Sequence, residues 1–591
     1  MVELTDALRL GRRSLEELAD QVKIVEDWRP CADPTNGDWQ LLLELTPRDL
    51  APGNGVPAST RWFFLVDAAY PRGVIHVMPA KEGGLELTFA HQFPNTATRG
   101  SVPWRDGSMC VVETTPGHQL AIARNDPRTA EERLSWYVGR ALDWLVAASK
   151  DELIAPGDPF ELPYYWAPGL TPPVFVAFSE GPASFRAWTS TDAEVGVADI
   201  GIVKDRPFQM LAVKEFKAKD GRTIVQPRWG TRLSRTDATT QAFWVRLRGV
   251  PVVPPWVAPA TWGALRGIAR AQGLDFNRSV ESIARRFRDG HPHIALIGFP
   301  MPVRRSEPAS LMHWLAAYLD PLGGTFRRGP LADDAPIRWL ASANWDAGQL
   351  GSRGQFEKGL AHRNVAVLGC GALGSIVAEL LVRGGVTDIV VVDRDEVEAG
   401  NLARHTLGIE EIGWPKAASL AARLNEISPN VTATALGATF PLLGATDAER
   451  IRQATLIIDT TGNDQVVDAV GAFDWGVEPR EFASISFSYG AERLYSYVAR
   501  IGAFDPETFL AAAQRWIAAD KRLTTELRWE GAGCRFPIFP ARADDVNALA
   551  ALAVRDLDER LLANGQYGLR VFERSSDGTI GEVFDPRTAN G

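Results

Sequence analysis

Residues 364–393 constrain the fold of this chain more than any other stretch. NVAVLG is an unbroken apolar run, the pattern of a strand covered on both faces of a parallel sheet. It passes directly into Gly369-Cys370-Gly371-Ala372-Leu373-Gly374, a G-x-G-x-x-G turn. Beyond the turn, Leu373, Ile376, Val377, Leu380 and Leu381 recur at helical spacing and form one stripe for packing on the sheet. A second run, DIVVVD, ends on Asp393, 19 residues after Gly374. The glycines permit a tight turn and close backbone approach to a phosphate, whose charge a helix N-terminus favours, and a carboxylate closing the next strand accepts from ribose hydroxyls. The glycine pattern alone is common. In the order strand, turn, helix, strand, acid it predicts a nucleotide-binding α/β unit with Gly369, Gly371, Gly374 and Asp393 at the ligand.

The stretch after Asp393 is unlike a hydride-transfer site. RDEVEAGNLARH and then Gly413-Trp414-Pro415-Lys416 bring Asp395, Asn401, Arg404 and Lys416 towards the carboxyl ends of the strands. Two cations and an amide there suit a polyphosphate under attack, because separating pyrophosphate needs charge neutralisation more than a base. A dinucleotide oxidoreductase is therefore only a distant reading.

The four cysteines, Cys31, Cys110, Cys370 and Cys534, are scattered, with no Cys-x-x-Cys pair and only eight histidines to help them, so no structural zinc is expected. Cys534 lies in a Gly/Pro-rich loop before the apolar stripe Val546, Leu549 and Ala553, with Arg535 beside it to favour a thiolate. Cys110 lies in GSMCV. Cys370, inside the glycine turn, is expected to bring its thiol to phosphate, and Cys31 has no assigned role.

A chain of 591 residues exceeds what one core serves, and two seams rich in Pro and Gly, at Ala155–Pro173 and around Gly323 to Pro336, divide it. Before the first seam come a helical pattern (Leu15, Leu18, Val22, Val25), four strand-like runs (Trp39–Leu45, Arg61–Val66, Gly73–Met78, Leu85–Ala90), a loop and a helix over Glu131–Ala148. The middle holds strand-like PVFVAF, QMLAVKEF, TTQAFWVRL and HIALIGF and a helical stretch from Ala260 to Arg288, whose arginines read as a solvated face. The net charge of −10 repels phosphate overall, so no direct nucleic-acid partner is expected, and no apolar run is long enough for a spanning helix.

Residues 355–465 resemble the adenylation domain of the ThiF, MoeB and ubiquitin-activating superfamily. Its D-x-D-x-V-x-x-x-N-L-x-R run stands here as Asp393, Asp395, Val397, Asn401, Leu402 and Arg404, and its lysine-bearing helix as Gly413 to Lys416. The resemblance implies a Rossmann-like fold, ATP and Mg²⁺ as cofactors, Asp393 on the ribose, Asn401, Arg404 and Lys416 on the phosphates, and Arg353 as the arginine preceding the motif. The family's D-x-T-D-N appears as Asp459-Thr460-Thr461-Gly462-Asn463, with glycine at the usual metal-binding aspartate, so either Asp459 or Asp464 is the expected substitute or the metal is held differently. The loop of Cys534 resembles that of the thioester cysteine in activating enzymes. The front of the chain resembles a ubiquitin-conjugating fold: Gly107 to Val111 matches its active-site run, Tyr70-Pro71 its tyrosine-proline, and Phe93-Pro94-Asn95 its His-Pro-Asn, making Asn95 an expected oxyanion donor.

The implied organisation is a ubiquitin-conjugating-like α+β domain at 1–160, a mixed α/β middle domain at 161–340 and a ThiF-type adenylation domain at 341–591. Together they resemble the fused activating and conjugating proteins of bacterial CD-NTase (CBASS) anti-phage operons. That resemblance implies a cytoplasmic homodimer. It would adenylate the free, glycine-like C-terminal tail of a CD-NTase or ubiquitin-like protein, carry it on Cys534 and then Cys110, and ligate it to a lysine-bearing acceptor. A sulfur-carrier adenylyltransferase and a non-catalytic nucleotide-binding scaffold, the latter suggested by Gly462, stay open as alternatives.

Overall fold

The computed structural model describes residues 4–51, 54–97, 101–112, 125–165, 174–203, 209–276, 279, 280, 283, 293–319, 331–357, 359–523, 529, 530, 536, 537, 539–563 and 566–584. The fold is mixed α/β, as expected, and its strands gather into three main sheets.

The first sheet is an antiparallel meander of Val22–Pro30, Trp39–Leu45, Thr60–Val66 and Ile75–Pro79. One face carries Leu41, Leu43, Trp62, Phe64 and Val77 onto Leu134, Val138, Ala141 and Leu145 of the helix Ala130–Lys150. Each such large apolar side chain, once fully covered, contributes roughly 1.5–3 kcal/mol. Tyr70 pins the start of that helix, donating to the Ala130 carbonyl at 2.7 Å and accepting from the Leu134 amide at 3.2 Å. Two sequence expectations fail here. Val22 and Val25 belong to the first strand and not to a helix face, because the helix Asp6–Ser14 and the short turn Leu15–Leu18 end before them. Leu85–Ala90 buries Leu85, Phe89 and Ala90 but is no strand: its carbonyls at Leu85 and Leu87 accept from the side chain of Asn95 instead of from a ladder.

The middle sheet closes on itself. Val174–Phe178 pairs with Arg338–Asn344 on one side and Gln209–Ala218 on the other, so seven strands form a ring with Thr223–Val225 appended. Alternate residues point inwards, and Trp188, Trp244, Trp314 and Phe216 fill the enclosed core around the buried Glu180. The opposite face of Phe243, Val245, Ala295 and Ile297 is covered by the helix Trp262–Ala271. The first proline-rich seam is structured in part: the Gly157 and Phe160 amides donate to the Arg305 and Val303 carbonyls at 3.0 Å each.

The third sheet runs Thr432–Leu436, Asp388–Val392, Asn364–Leu368, Leu456–Asp459, Glu481–Phe487, Arg493–Arg500, Gly568–Arg574 and Ile580–Phe584, its first five strands parallel. The chain builds outwards from Asn364–Leu368 in one direction and returns to its other side with Leu456–Asp459. This reversal opens a crevice at the carboxyl ends of those two strands, where ligands of such sheets bind. The middle and third sheets are joined by backbone hydrogen bonds, Gly230 to the Pro429 carbonyl and Thr231 to that of Val431, both at 2.8 Å.

Candidate functional site

The glycine turn sits in the crevice as the sequence predicts. Gly369 has φ +91, a left-handed conformation that disfavours a side chain. A Cβ on Gly374 would stand 2.0 Å from the Gly369 carbonyl oxygen, so glycine is what lets the helix Ala372–Arg383 approach the strand. At Gly371 the reverse holds: a Cβ would meet open space, and no side chain caps the helix. The amides of the first turn therefore face a cleft of about 310 Å³ lined by Gly369, Gly371, Asp393, Lys416, Thr460 and Thr461 among others.

Asp393 organises this cradle. One carboxylate oxygen accepts from the Cys370 amide at 2.7 Å and the other from the Asp395 amide at 2.8 Å. Each oxygen keeps a further lone pair for a hydroxyl group. Lys416 opens the helix Lys416–Ile427 and points its ammonium at Asp395, 3.5 Å away, with the side chain largely covered. His405 is a positioning residue that sequence reasoning did not single out. Its Nδ1 accepts from the Leu407 amide at 3.1 Å, so its Nε2–H donates to the Cys370 carbonyl at 2.6 Å, tying the NLARH turn to the glycine turn. Burial, the largest cause, holds its pKa below the ordinary value, consistent with this neutral tautomer. Its place directly after Arg404 was the available signal.

Other predicted residues stand elsewhere. Asn401 accepts from the Glu398 amide at 2.9 Å and so shapes the turn; it does not line the cleft. Arg404 lies against the segment just beyond the Cys534 loop, its guanidinium 5.4 Å from the Phe539 ring and 3.4 Å from the Ala541 carbonyl, with Nε buried and unpaired among the described residues. Asp459 is fully buried. Its oxygens accept from Thr461 and Ser484, and burial pushes its pKa up, so it faces the sheet interior and is not delivered to the cleft as a metal ligand. Gly462 adopts φ +62, a conformation that suits glycine better than the aspartate usual in the family pattern. Among the described residues no cluster of three or more His, Cys, Asp or Glu is arranged to hold a metal. Cys370 is buried in the core, with its pKa driven well up by burial and then by Asp393, so its thiol does not reach phosphate. Arg353 is exposed on a turn away from the cleft lining.

Cys110 is exposed at the end of the first unit's loop region, its amide donating to the His91 carbonyl at 2.9 Å. Asn95 supports this loop and is not available as an oxyanion donor. Both hydrogens of its amide go to the Leu85 and Leu87 carbonyls, at 2.7 and 3.0 Å, and its oxygen accepts from Arg105 at 2.8 Å. Cys110 opens onto a groove of about 520 Å³ between the first and middle units, with His91, Phe93 and Pro94 on one side and Glu161, Tyr164, Trp256 and Trp339 on the other. Cys534 and Arg535 lie outside the described residues. The next helix, Ala543–Leu562, is as predicted, with Val546, Leu549 and Ala553 fully buried.

Comparison with known proteins matches residues 151–345 to the Cap2 central linker domain and residues 346–471 to the ThiF family. The chain is 33% identical over 581 residues to the ATP-dependent ubiquitin transferase-like protein Cap2 of Enterobacter hormaechei subsp. hoffmannii (strain UCI 50), covering 92% of this chain and 94% of that protein. It is 38% identical over 117 residues to the sulfur carrier protein ThiS adenylyltransferase of Bacillus subtilis (strain 168), covering 19% of this chain and 34% of the relative. A third relative is the adenylyltransferase and sulfurtransferase MOCS3 of Sus scrofa, 32% identical over 170 residues, 27% of this chain and 36% of that one. The two shorter matches span about a third of their relatives, whereas the first is near full length on both sides. The chain belongs to the family of the ATP-dependent ubiquitin transferase-like protein Cap2.

Proposed function

We propose that this chain primes the C-terminal carboxylate of a protein with ATP, receives the acyl group on Cys534, moves it to Cys110 and ligates it to an amine. Family membership makes the chain an enzyme of ATP-dependent, ubiquitin-like activation and conjugation. The observation that carries the finer reading is a pairing within one chain. An open, amide-lined phosphate cleft stands at a topological switch point, and an exposed thiol stands at the lip of a separate groove.

In the cleft, Asp393 would hold the ribose and the first-turn amides would hold phosphate oxygens. Lys416 would neutralise charge as the carboxylate attacks the α-phosphorus and pyrophosphate departs. A magnesium ion supplies further neutralisation when bound, and Asp395, exposed at the cleft, is the carboxylate that fits it; the inward-turned Asp459 does not. Arg404 would act at one remove, bracing the segment after Cys534. Two thioesters then divide a hard amide synthesis into easier exchanges. The activated protein is proposed to be a CD-NTase or a ubiquitin-like protein in anti-phage defence, the acceptor a lysine, and the enzyme a cytoplasmic homodimer.

Non-reducing electrophoresis with ATP and the candidate partner tests this reading. Wild type should give reducible adducts. Cys534→Ala should give none on either cysteine, and Cys110→Ala should stop at the Cys534 adduct. Pyrophosphate exchange without any trapped adduct would favour adenylyl transfer alone, as in the sulfur-carrier alternative.

A further inference from the structure

The groove beside Cys110 has a composition that neither the nucleotide cleft nor the acyl relay explains. Its apolar walls include Phe93, 65% exposed, and the indole of Trp256, whose Nε1 is buried without a hydrogen-bond partner among the described residues. Into this apolar space project Glu161 and His91. Glu161 Oε2 is buried and has no hydrogen-bond partner among the described residues, and it stands 3.7 Å from His91 Nε2, too far for a hydrogen bond. Both side chains are partly open, at 38% and 45% exposure. The titratable described residues lining the groove are His91, Cys110, Glu161 and Tyr164, with no lysine or arginine among them. A carboxylate and an imidazole thus face an apolar channel whose described lining lacks a cation, next to a thiol proposed to carry an acyl group.

We infer that this groove is the acceptor site, in which Glu161 and His91 receive the ammonium of a lysine side chain while Phe93 and Trp256 flank its alkyl stem. The inference rests on Cys110 carrying the acyl group. Glu161 is contributed from beyond the helix that ends the first unit, so the middle-unit seam completes the conjugating site. The chemistry supports the assignment. A protonated lysine has no lone pair, and its ordinary pKa of about 10.4 leaves it almost wholly charged at neutral pH. Glu161 draws the ammonium in, and His91 Nε2 removes one proton. The freed nitrogen attacks the thioester carbonyl, the C–N bond forms and the C–S bond breaks. Cys110 leaves as a thiolate, collects the second amine proton, and the third stays on the new amide. The aromatic neighbours also suit an alkylammonium, whose charge is attracted to ring faces.

The test loads Cys110 of the full chain, in a Cys534→Ser background, with a fluorescent glycine-ended peptide thioester and measures single-turnover discharge. Free lysine is one nucleophile, and hydroxylamine, largely neutral at neutral pH, is the other. Glu161→Gln and His91→Asn should load normally, the second because Asn tolerates the positive φ of 53 at that position. Both should slow discharge to lysine on the order of 10²-fold or more while leaving hydroxylamine near wild type. Their deficit should shrink as pH approaches the lysine pKa, and Glu161→Asp should recover part of the loss. Wild-type discharge to lysine by both variants would overturn the inference. So would equal slowing with both nucleophiles, which marks a purely structural role. Failure of the wild type to load at Cys110 would instead remove the relay reading beneath it.

Discussion

The nucleotide cleft and the thiol groove are built in opposite ways. About half of the cleft lining comes from one run of chain, Leu368 to Lys416, and the rest from two short segments, Ala438 to Phe440 and Thr460 to Val466, that follow strands of the same sheet. The groove is assembled from segments around residues 91, 110, 161, 256 and 339, drawn from both the first and the middle unit. A site written at the ends of strands of a single sheet is fixed largely by local rules of turn and helix. A site gathered from five segments depends on tertiary closure and is as secure as the packing behind it.

The contrast can be broken first at the cleft. Lys416→Ala should lower ATP–pyrophosphate exchange by about 10²–10³-fold, the scale of losing one preorganised charge-stabilising group, while leaving the melting temperature nearly unchanged. A loss of less than tenfold would mean that the backbone amides carry the phosphates alone. Gly374→Ala should do the reverse. The added Cβ would collide with the Gly369 carbonyl and with Thr460 Oγ1, at 2.0 and 2.5 Å, so unfolding stability should fall by about 1–3 kcal/mol along with nucleotide affinity. Urea denaturation and calorimetric titration read the two effects separately.

At the groove the same logic sharpens the role of Asn95. Asn95→Ala leaves the buried Leu85 carbonyl, the Leu87 carbonyl and Arg105 without this partner, and should cost about 2 kcal/mol of stability in urea unfolding. Discharge of the Cys110 thioester should fall with lysine and hydroxylamine alike, because a distorted loop harms every nucleophile. A stable variant with a large discharge defect would restore the oxyanion role that the geometry denies. The smallest expected effect lies behind the groove, in the middle core. Burial raises the Glu180 pKa to about 7, while Trp188 and Trp314 donate to its Oε1. The unfolded chain gives up this proton from about pH 4.3 upwards and the folded chain holds it longer, so stability falls as pH rises from there to about 7. Glu180→Gln should flatten that slope and gain on the order of 1–2 kcal/mol at about pH 8, with little gain at about pH 4, in paired thermal melts.

Legibility from sequence divides along the same line. The βαβ unit could be read because the glycines, the apolar stripe of the helix and Asp393 act within 30 residues, where spacing alone dictates geometry. Val22 and Val25 misled because a three-residue spacing fits a helix, although strand pairing with Trp39–Leu45 decided otherwise. Leu85–Ala90 has a strand's composition, but Asn95 takes the hydrogen bonds a ladder would take. Asp459 and Cys370 occupy positions that motif reading brings to the ligand, yet both side chains turn into the core. Motif spacing specifies where the backbone goes, and rotamer and burial decide which way a side chain points. Glu161 and Trp256 carry no local signal at all, since their meaning arises only when distant segments meet.

The proposed relay passes an acyl group between two sulfurs of one polypeptide. The direct measurement is ATP-dependent ligation of the candidate partner to an amine, comparing wild type with a Cys110→Ala/Cys534→Ala double variant that retains pyrophosphate exchange. The double variant should activate the carboxylate and form no ligated product. Undiminished ligation by that variant would contradict it.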